Sequence, residues 1–202
     1  FDNILAVDSH YTKANMKGFS HKEVAGDVID EAFCNGPPKN LDTESYYTRA
    51  WSAENFVVDG QIIDLGNRLI EVIHVPGHTP DALALIDREN ALLFTGDTYY
   101  DDNLWLFSPE TDLDDYAESI EKLAFLEQDI EYIFGAHTSA RVEAGVLKKV
   151  EQSFFKLRSG DNNPVDQIDG RLIYQIDGIN FVTSRAILNG VKIDTSKGAS
   201  GL

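Results

Sequence analysis

Three short turns hold the residues best suited to chemistry: Pro76-Gly77-His78-Thr79-Pro80-Asp81, Thr95-Gly96-Asp97-Thr98 and Gly135-Ala136-His137-Thr138. Each places one metal-competent side chain directly after an apolar, strand-like run. Sheet ends of this kind can converge on one point. Two imidazoles and a carboxylate are the donor types of a zinc-type hydrolytic site, in which a cation polarises a carbonyl and activates water.

The elements that must position these turns can be read from the hydrophobic pattern. Between residues 55 and 95 the pattern predicts a strand meander: Phe56 to Val58, an Asp59-Gly60 hairpin turn, Gln61 to Leu65, Leu69 to Val75, Ala82 to Ile86 and Ala91 to Phe94. The first two key turns therefore end strands. Asp112 to Leu126 has helical spacing, with Leu113, Tyr116, Ala117, Ile120, Leu123 and Ala124 on one face and Thr111 placed to cap it. Tyr132 to Phe134 is a short strand delivering the third turn. Arg141 to Leu157 reads as a second amphipathic helix, with Val142, Val146, Val150 and Phe154 at four-residue steps. A closing hairpin is expected about Asp177-Gly178, and a loose tail over residues 196–202. Upstream, Asn3 to Val7 reads as a buried strand, residues 22–33 as a short helix and residues 35–40 as an irregular loop. No repeat or second domain is evident, so residues 1–202 are expected to form one domain.

Composition narrows the function classes. The chain has 202 residues, 43% of them hydrophobic, enough for a substantial core. Its 34 acidic and 17 basic side chains give a formal charge of -17, which repels phosphodiester backbones and disfavours a nucleic-acid partner or a nuclease activity. A small-molecule substrate fits better. No apolar run approaches the roughly 20 residues of a bilayer span, so no membrane partner is expected. The single Cys34 gives no support to an oxidising compartment; localisation stays open, with the cytoplasm favoured. The chain opens on Phe1, and its only methionine is Met16, so a segment upstream of Phe1 is expected to be missing.

PGHTPD, then TGDT, then GAHT, in this order and spacing, resemble the metallo-β-lactamase superfamily, in particular its glyoxalase-II-like and general hydrolase branches. The resemblance runs over roughly residues 1–155. It implies an α/β (α+β layered) fold, the αββα sandwich of that superfamily, with the N-terminal part of the first sheet absent. It also implies that His78 binds one metal, that Asp97 bridges two metals and is the catalytic carboxylate, and that His137 binds the second metal. The cofactor implied is a pair of divalent cations, Zn²⁺ or alternatively Fe or Mn, sharing a nucleophilic hydroxide. The family's upstream HxHxDH motif, which supplies two histidines to the first metal and an aspartate and a histidine to the second, is not in this sequence. Tight binding of the metal pair by this chain alone is therefore not expected, and a partner chain or fragment is expected to cover an exposed sheet edge.

The function implied is hydrolysis of an ester, thioester, lactone or amide. The alternative is a metal-free, non-catalytic binding or assembly protein of the same fold. Tyr99, Tyr100 and Trp105 follow the bridging aspartate and read either as a substrate wall or as ordinary core. Thr79, Asp81 and Thr98 are adjacent to the ligands and are candidates to orient them. His74 reads as a packing residue, His10 and His21 as solvated loop residues, Cys34 as a small buried hydrophobe, and Asp101 and Asp102 as solvated charge.

Overall fold

The computed structural model describes residues 5–6, 19–20, 47–48, 55–108, 110–160, 162–168 and 171–190. The chain divides into two compact units, Phe1–Phe56 with Asp194–Leu202, and Val57–Ile193. In the first, β1 (Leu5–Ala6) pairs in parallel with β4 (Asn55–Phe56), and β2 (Phe19–Ser20) pairs antiparallel with β3 (Tyr47–Thr48). The expected helix at 22–33, the loop at 35–40, His10, His21, Cys34 and the tail at 196–202 lie outside the described residues.

The second unit contains all three key turns. Its larger sheet comprises β5 (Ile62–Asp64), β6 (Leu69–His74), β7 (Leu83–Asp87), β8 (Leu92–Gly96), β10 (Tyr132–Gly135) and β11 (Val142–Glu143), in the order β11-β10-β8-β7-β6-β5. β5 to β8 form an antiparallel meander, while β10 lies parallel to β8. Period-two alternation explains the strands: Ile73 on β6, Ala84 and Ile86 on β7, and Leu93 on β8 share one face of the sheet and point into the core, while Ile70 and Val72 are buried on the other face. A smaller sheet runs β12-β13-β14-β9, built from β9 (Leu104–Trp105), β12 (Asp166–Ile168), β13 (Arg171–Ile176) and β14 (Ile179–Thr183).

Helix α1 (Leu113–Leu126) buries Leu113, Tyr116, Ile120, Leu123 and Ala124, and α2 (Leu147–Ser159) buries Leu147, Val150, Phe154 and Leu157. Each fully buried aliphatic or aromatic side chain in these stripes contributes roughly 2 kcal/mol of apolar burial. The stripes and the inner strand faces form one core, in which the Tyr116 and Phe154 rings meet edge-on at 4.8 Å. A short helix, α3 (Arg185–Leu188), capped by the Ser184 hydroxyl, follows β14. The result is a layered α/β arrangement of mixed sheets and helices. Among the described residues no helix is long and apolar enough to cross a membrane.

Three expectations need correction. The strand before Asp59-Gly60 pairs with β1 rather than folding back on β5. The turn itself forms, but Gly60 N donates to Val72 O at 2.8 Å, tying the turn to β6. The second helix starts at Leu147, because Val142 pairs with Ile133 in β11 and a 3₁₀ turn over Ala144–Val146 intervenes. The cap of α1 is Asp112, whose Oδ1 accepts from Asp114 N at 2.9 Å and Asp115 N at 3.3 Å. A cap of this kind is worth about 1 kcal/mol.

Candidate metal centre

The turn carrying His78 is set against the start of α1. Gly77 has φ +127°, and a Cβ there would fall 2.3 Å from both Tyr116 N and Tyr116 Cα, so this approach is open only to glycine. Asp112 N donates to Gly77 O at 2.9 Å. The Thr111 hydroxyl, free of the capping role, donates to His78 O at 3.0 Å, and the Ser108 hydroxyl donates to the same carbonyl at 3.4 Å. The imidazole is then aimed by β9. His78 Nδ1 donates to Trp105 O at 2.7 Å, which makes Nε2 the lone-pair nitrogen of the neutral ring. Metal-ligating histidines are commonly fixed in this way.

Asp97 and His137 come from neighbouring parallel strands. β8 ends at Gly96, φ +54°, and the Thr95 hydroxyl closes the turn by donating to Tyr99 O at 2.6 Å. Ala136 N donates to Gly96 O at 3.0 Å, so the residue before His137 is hydrogen-bonded to the residue before Asp97. Gly135 permits this closeness: a Cβ there would sit 2.6 Å from Tyr100 Cβ and 2.8 Å from Tyr99 O.

The outcome is His137 Nε2 at 2.9 Å from Asp97 Oδ1, with each side chain about half exposed. The oxygen itself is buried and, despite this proximity, has no partner in hydrogen-bond geometry. Two donors on one tetrahedral Zn²⁺ at bond lengths of about 2.1 Å lie about 3.4 Å apart, so a small separation of the pair would admit the ion. A close imidazole and an orphaned carboxylate oxygen therefore suit a shared divalent cation. Among the described residues, however, no three His, Cys, Asp or Glu side chains are gathered as a metal site. His78 is oriented by β9 but is not part of such a group.

The aromatic run after Asp97 is mostly interior. Tyr99 is 2% exposed and Tyr100 6%, both within the core, while Trp105 is half-buried. Burial, with Asp101 adding repulsion, pushes the Tyr99 hydroxyl up to about 12, and burial pushes Tyr100 up as well. Both hydroxyls therefore stay protonated at neutral pH, and that of Tyr100 donates to Asn103 O. Tyr100 also packs edge-on against the His137 ring, with centroids 4.9 Å apart at 71°. Trp105 packs on Phe107 at 5.0 Å, and the Arg171 guanidinium lies 3.7 Å from the Phe107 ring.

Of the adjacent polar residues, Thr98 is fully buried, and its carbonyl accepts the Tyr116 hydroxyl at 2.8 Å. Tyr116 thereby links the His78 and Asp97 turns. Among the described residues, neither the Thr79 hydroxyl nor the Asp81 carboxylate hydrogen-bonds the side chain of His78, Asp97 or His137. His74 Nε2 donates to Pro80 O at 2.8 Å, in keeping with a packing role.

Sequence reading missed Trp105 O, Tyr116 and the partners of Asp101 and Asp102. Thr138 Oγ1 donates to Asp102 Oδ2 at 3.1 Å and Ser139 Oγ to Asp101 Oδ2 at 2.8 Å. Thr138 itself has φ +63°, a left-handed conformation costing a β-branched residue about 1–3 kcal/mol.

Comparison with known proteins bears on the family and the fold. The family model described as Metallo-beta-lactamase superfamily matches residues 8–137, more than half of the chain. The chain is similar to Acyl-coenzyme A thioesterase MBLAC2 of Gallus gallus, 35% identical over 163 residues, covering 76% of this chain and 50% of that protein. The Homo sapiens protein of that name is 38% identical over 123 residues, covering 61% and 43%. Hydroxyacylglutathione hydrolase GloC of Haemophilus influenzae is 34% identical over 82 residues, covering 40% and 39%. The chain spans about half the length of the first of these relatives and less of the others. In fold it resembles a metallo-beta-lactamase family protein from Thermus thermophilus, with TM-score 0.54 at 14% identity over 77% of this chain and 54% of that one. An archaeal superfamily protein from Sulfolobus tokodaii gives TM-score 0.51 at 19% identity over 83% and 62%.

Proposed function

The chain belongs to the metallo-β-lactamase superfamily, and from that premise we propose that the full-length protein hydrolyses a thioester with the help of divalent cations held in part by His78, Asp97 and His137. The observation that carries this is the orphaned, buried Asp97 Oδ1 lying 2.9 Å from His137 Nε2. The names of the acyl-coenzyme A and hydroxyacylglutathione relatives support a thioester over an ester, lactone or amide.

Bound there, the cations supply a Lewis acid for the scissile carbonyl and an acidified water as nucleophile. The chain's own residues determine where that chemistry occurs. His78, fixed through Nδ1 by Trp105 O, presents Nε2 in a single tautomer. Asp97 presents a carboxylate at the end of β8, where its backbone is held by the Tyr116 hydroxyl through Thr98 O. The exposed half of Asp97 and His137 leaves a substrate carbonyl room to approach. Trp105, half-buried beside His78, is the aromatic residue best placed to meet an acyl group, whereas Tyr99 and Tyr100 act from the core by packing behind the ligands.

The test uses the full-length protein with Zn²⁺ or Mn²⁺ and an acyl thioester, following release of free thiol. Asp97→Ala should abolish turnover; unchanged turnover overturns the assignment. A metal-free and inactive full-length preparation would instead favour a non-catalytic binding protein. The formal charge of -17 adds a second readout. For an anionic coenzyme A thioester, kcat/KM should rise with ionic strength as repulsion between this acidic chain and the substrate is screened, while a neutral thioester should show no such rise.

A further inference from the structure

The loops bearing Asp97 and His137 meet again away from the ligand atoms. Thr138, directly after His137, holds φ +63°, a conformation that needs external support in a β-branched residue. That support comes from the loop of the other ligand: Asp102 Oδ2 accepts from Thr138 Oγ1 at 3.1 Å, and Asp101 Oδ2 accepts from Ser139 Oγ at 2.8 Å. The Asp102 carboxylate is itself anchored, because its Oδ1 accepts from Asn103 N at 2.7 Å and its own N–H donates to Tyr100 O at 3.0 Å. Tyr100 in turn packs on the His137 ring.

We propose that the pairs Asp102–Thr138 and Asp101–Ser139 form a clasp that sets the spacing of Asp97 and His137, so that cation affinity depends on four positioning residues that touch no cation. This rests on the metal assignment of Asp97 and His137. The clasp fixes the chain on the C-terminal side of His137, and Ala136 N on Gly96 O fixes it on the other. With both held, the backbone on either side of His137 is fixed relative to the loop of Asp97.

The experiment titrates full-length protein with Zn²⁺ and follows the His137 imidazole by NMR. The paired variant Thr138→Val with Ser139→Ala removes both donors while keeping every charge and the branched shape at 138. It should weaken Zn²⁺ binding about 10- to 100-fold, as loss of groups that orient ligands does. The paired variant Asp101→Asn with Asp102→Asn removes charge but retains acceptor oxygens, and should weaken binding less. The reverse order would mean that charge rather than the clasp matters, and overturns the proposal, as does unchanged affinity in both. If Zn²⁺ leaves His137 of the unsubstituted protein undisturbed, the metal assignment fails separately. The clasp is then judged by amide exchange at His137 and Thr138 in metal-free protein. It should speed up about tenfold in the donor-less variant by local opening, and unchanged exchange overturns the clasp.

Discussion

The turn of His78 and the turn of His137 each present an imidazole, but they are held by different means. Gly77 rests on the backbone of α1, His78 O accepts two hydroxyl groups, and the ring is fixed by a main-chain carbonyl. His137 leans on the edge of Tyr100 and is flanked by exposed hydroxyl–carboxylate pairs and a strained Thr138. One turn is part of the core, so disturbing it disturbs the fold. The other is attached at the surface, so its geometry can change while the fold persists. A site built this way combines a rigid half with an adjustable half.

The largest expected effect belongs to the rigid half. Gly77→Ala adds a Cβ 2.3 Å from Tyr116 backbone atoms at φ +127° and should cost on the order of 4 kcal/mol, a fall in melting temperature of roughly 10 °C. A variant melting within a degree or two of the parent would show that the His78 turn is not anchored in the core. Gly135→Ala probes the seam between the two halves. Its Cβ would press on Tyr100, at about 2 kcal/mol, and should separate His137 from Asp97, seen as weaker cation binding at moderate loss of stability.

Tyr116→Phe is milder. Losing the hydroxyl bond to Thr98 O should cost about 1 kcal/mol in chemical denaturation, and a change near zero would mean that Tyr116 acts only through its ring.

Asp87, at the far ends of the same strands, provides the smallest effect and a control. Burial raises its pKa, but hydrogen bonds from Arg68 and Asn90 outweigh that and leave the carboxyl below its ordinary value. Its folded pKa is therefore depressed relative to the unfolded chain. Its stabilising contribution is present above about pH 4 and is lost as pH falls through the lower folded value. Parent and Asp87→Asn denaturation midpoints should converge on acidification below about pH 4, with the geometry at Asp97 and His137 untouched. A gap that widens on acidification would reverse the sign of this linkage.

Much of this was legible from pattern. The meander from β5 to β8, the α1 stripe and the hairpin of β13 and β14 follow from periodicities of 2 and 3.6 that burial enforces. The element starts were less legible. Val142 continues the four-residue spacing of α2, yet pairing with Ile133 draws it into β11, because a spare strand edge competes with one more helical turn. Thr111 and Asp112 are both competent caps, and the choice fell to Asp112 because the Thr111 hydroxyl is taken by His78 O. The two aspartates after Tyr100 read as solvated because they are exposed; their partners lie 36 and 38 residues away in sequence.

The sequence by itself determined which side chains could bind a cation and that each follows a strand, since ligand chemistry resides in residue type and strand ends in hydrophobic period. Only the tertiary structure decided which of them meet. Parallel pairing of β8 with β10 brings Asp97 and His137 to 2.9 Å, while His78 is aimed separately from β9. The group that aims it, Trp105 O, is a main-chain carbonyl. Every residue carries one, so no residue type announces it, and only the packing of β9 against β14 puts this one in place.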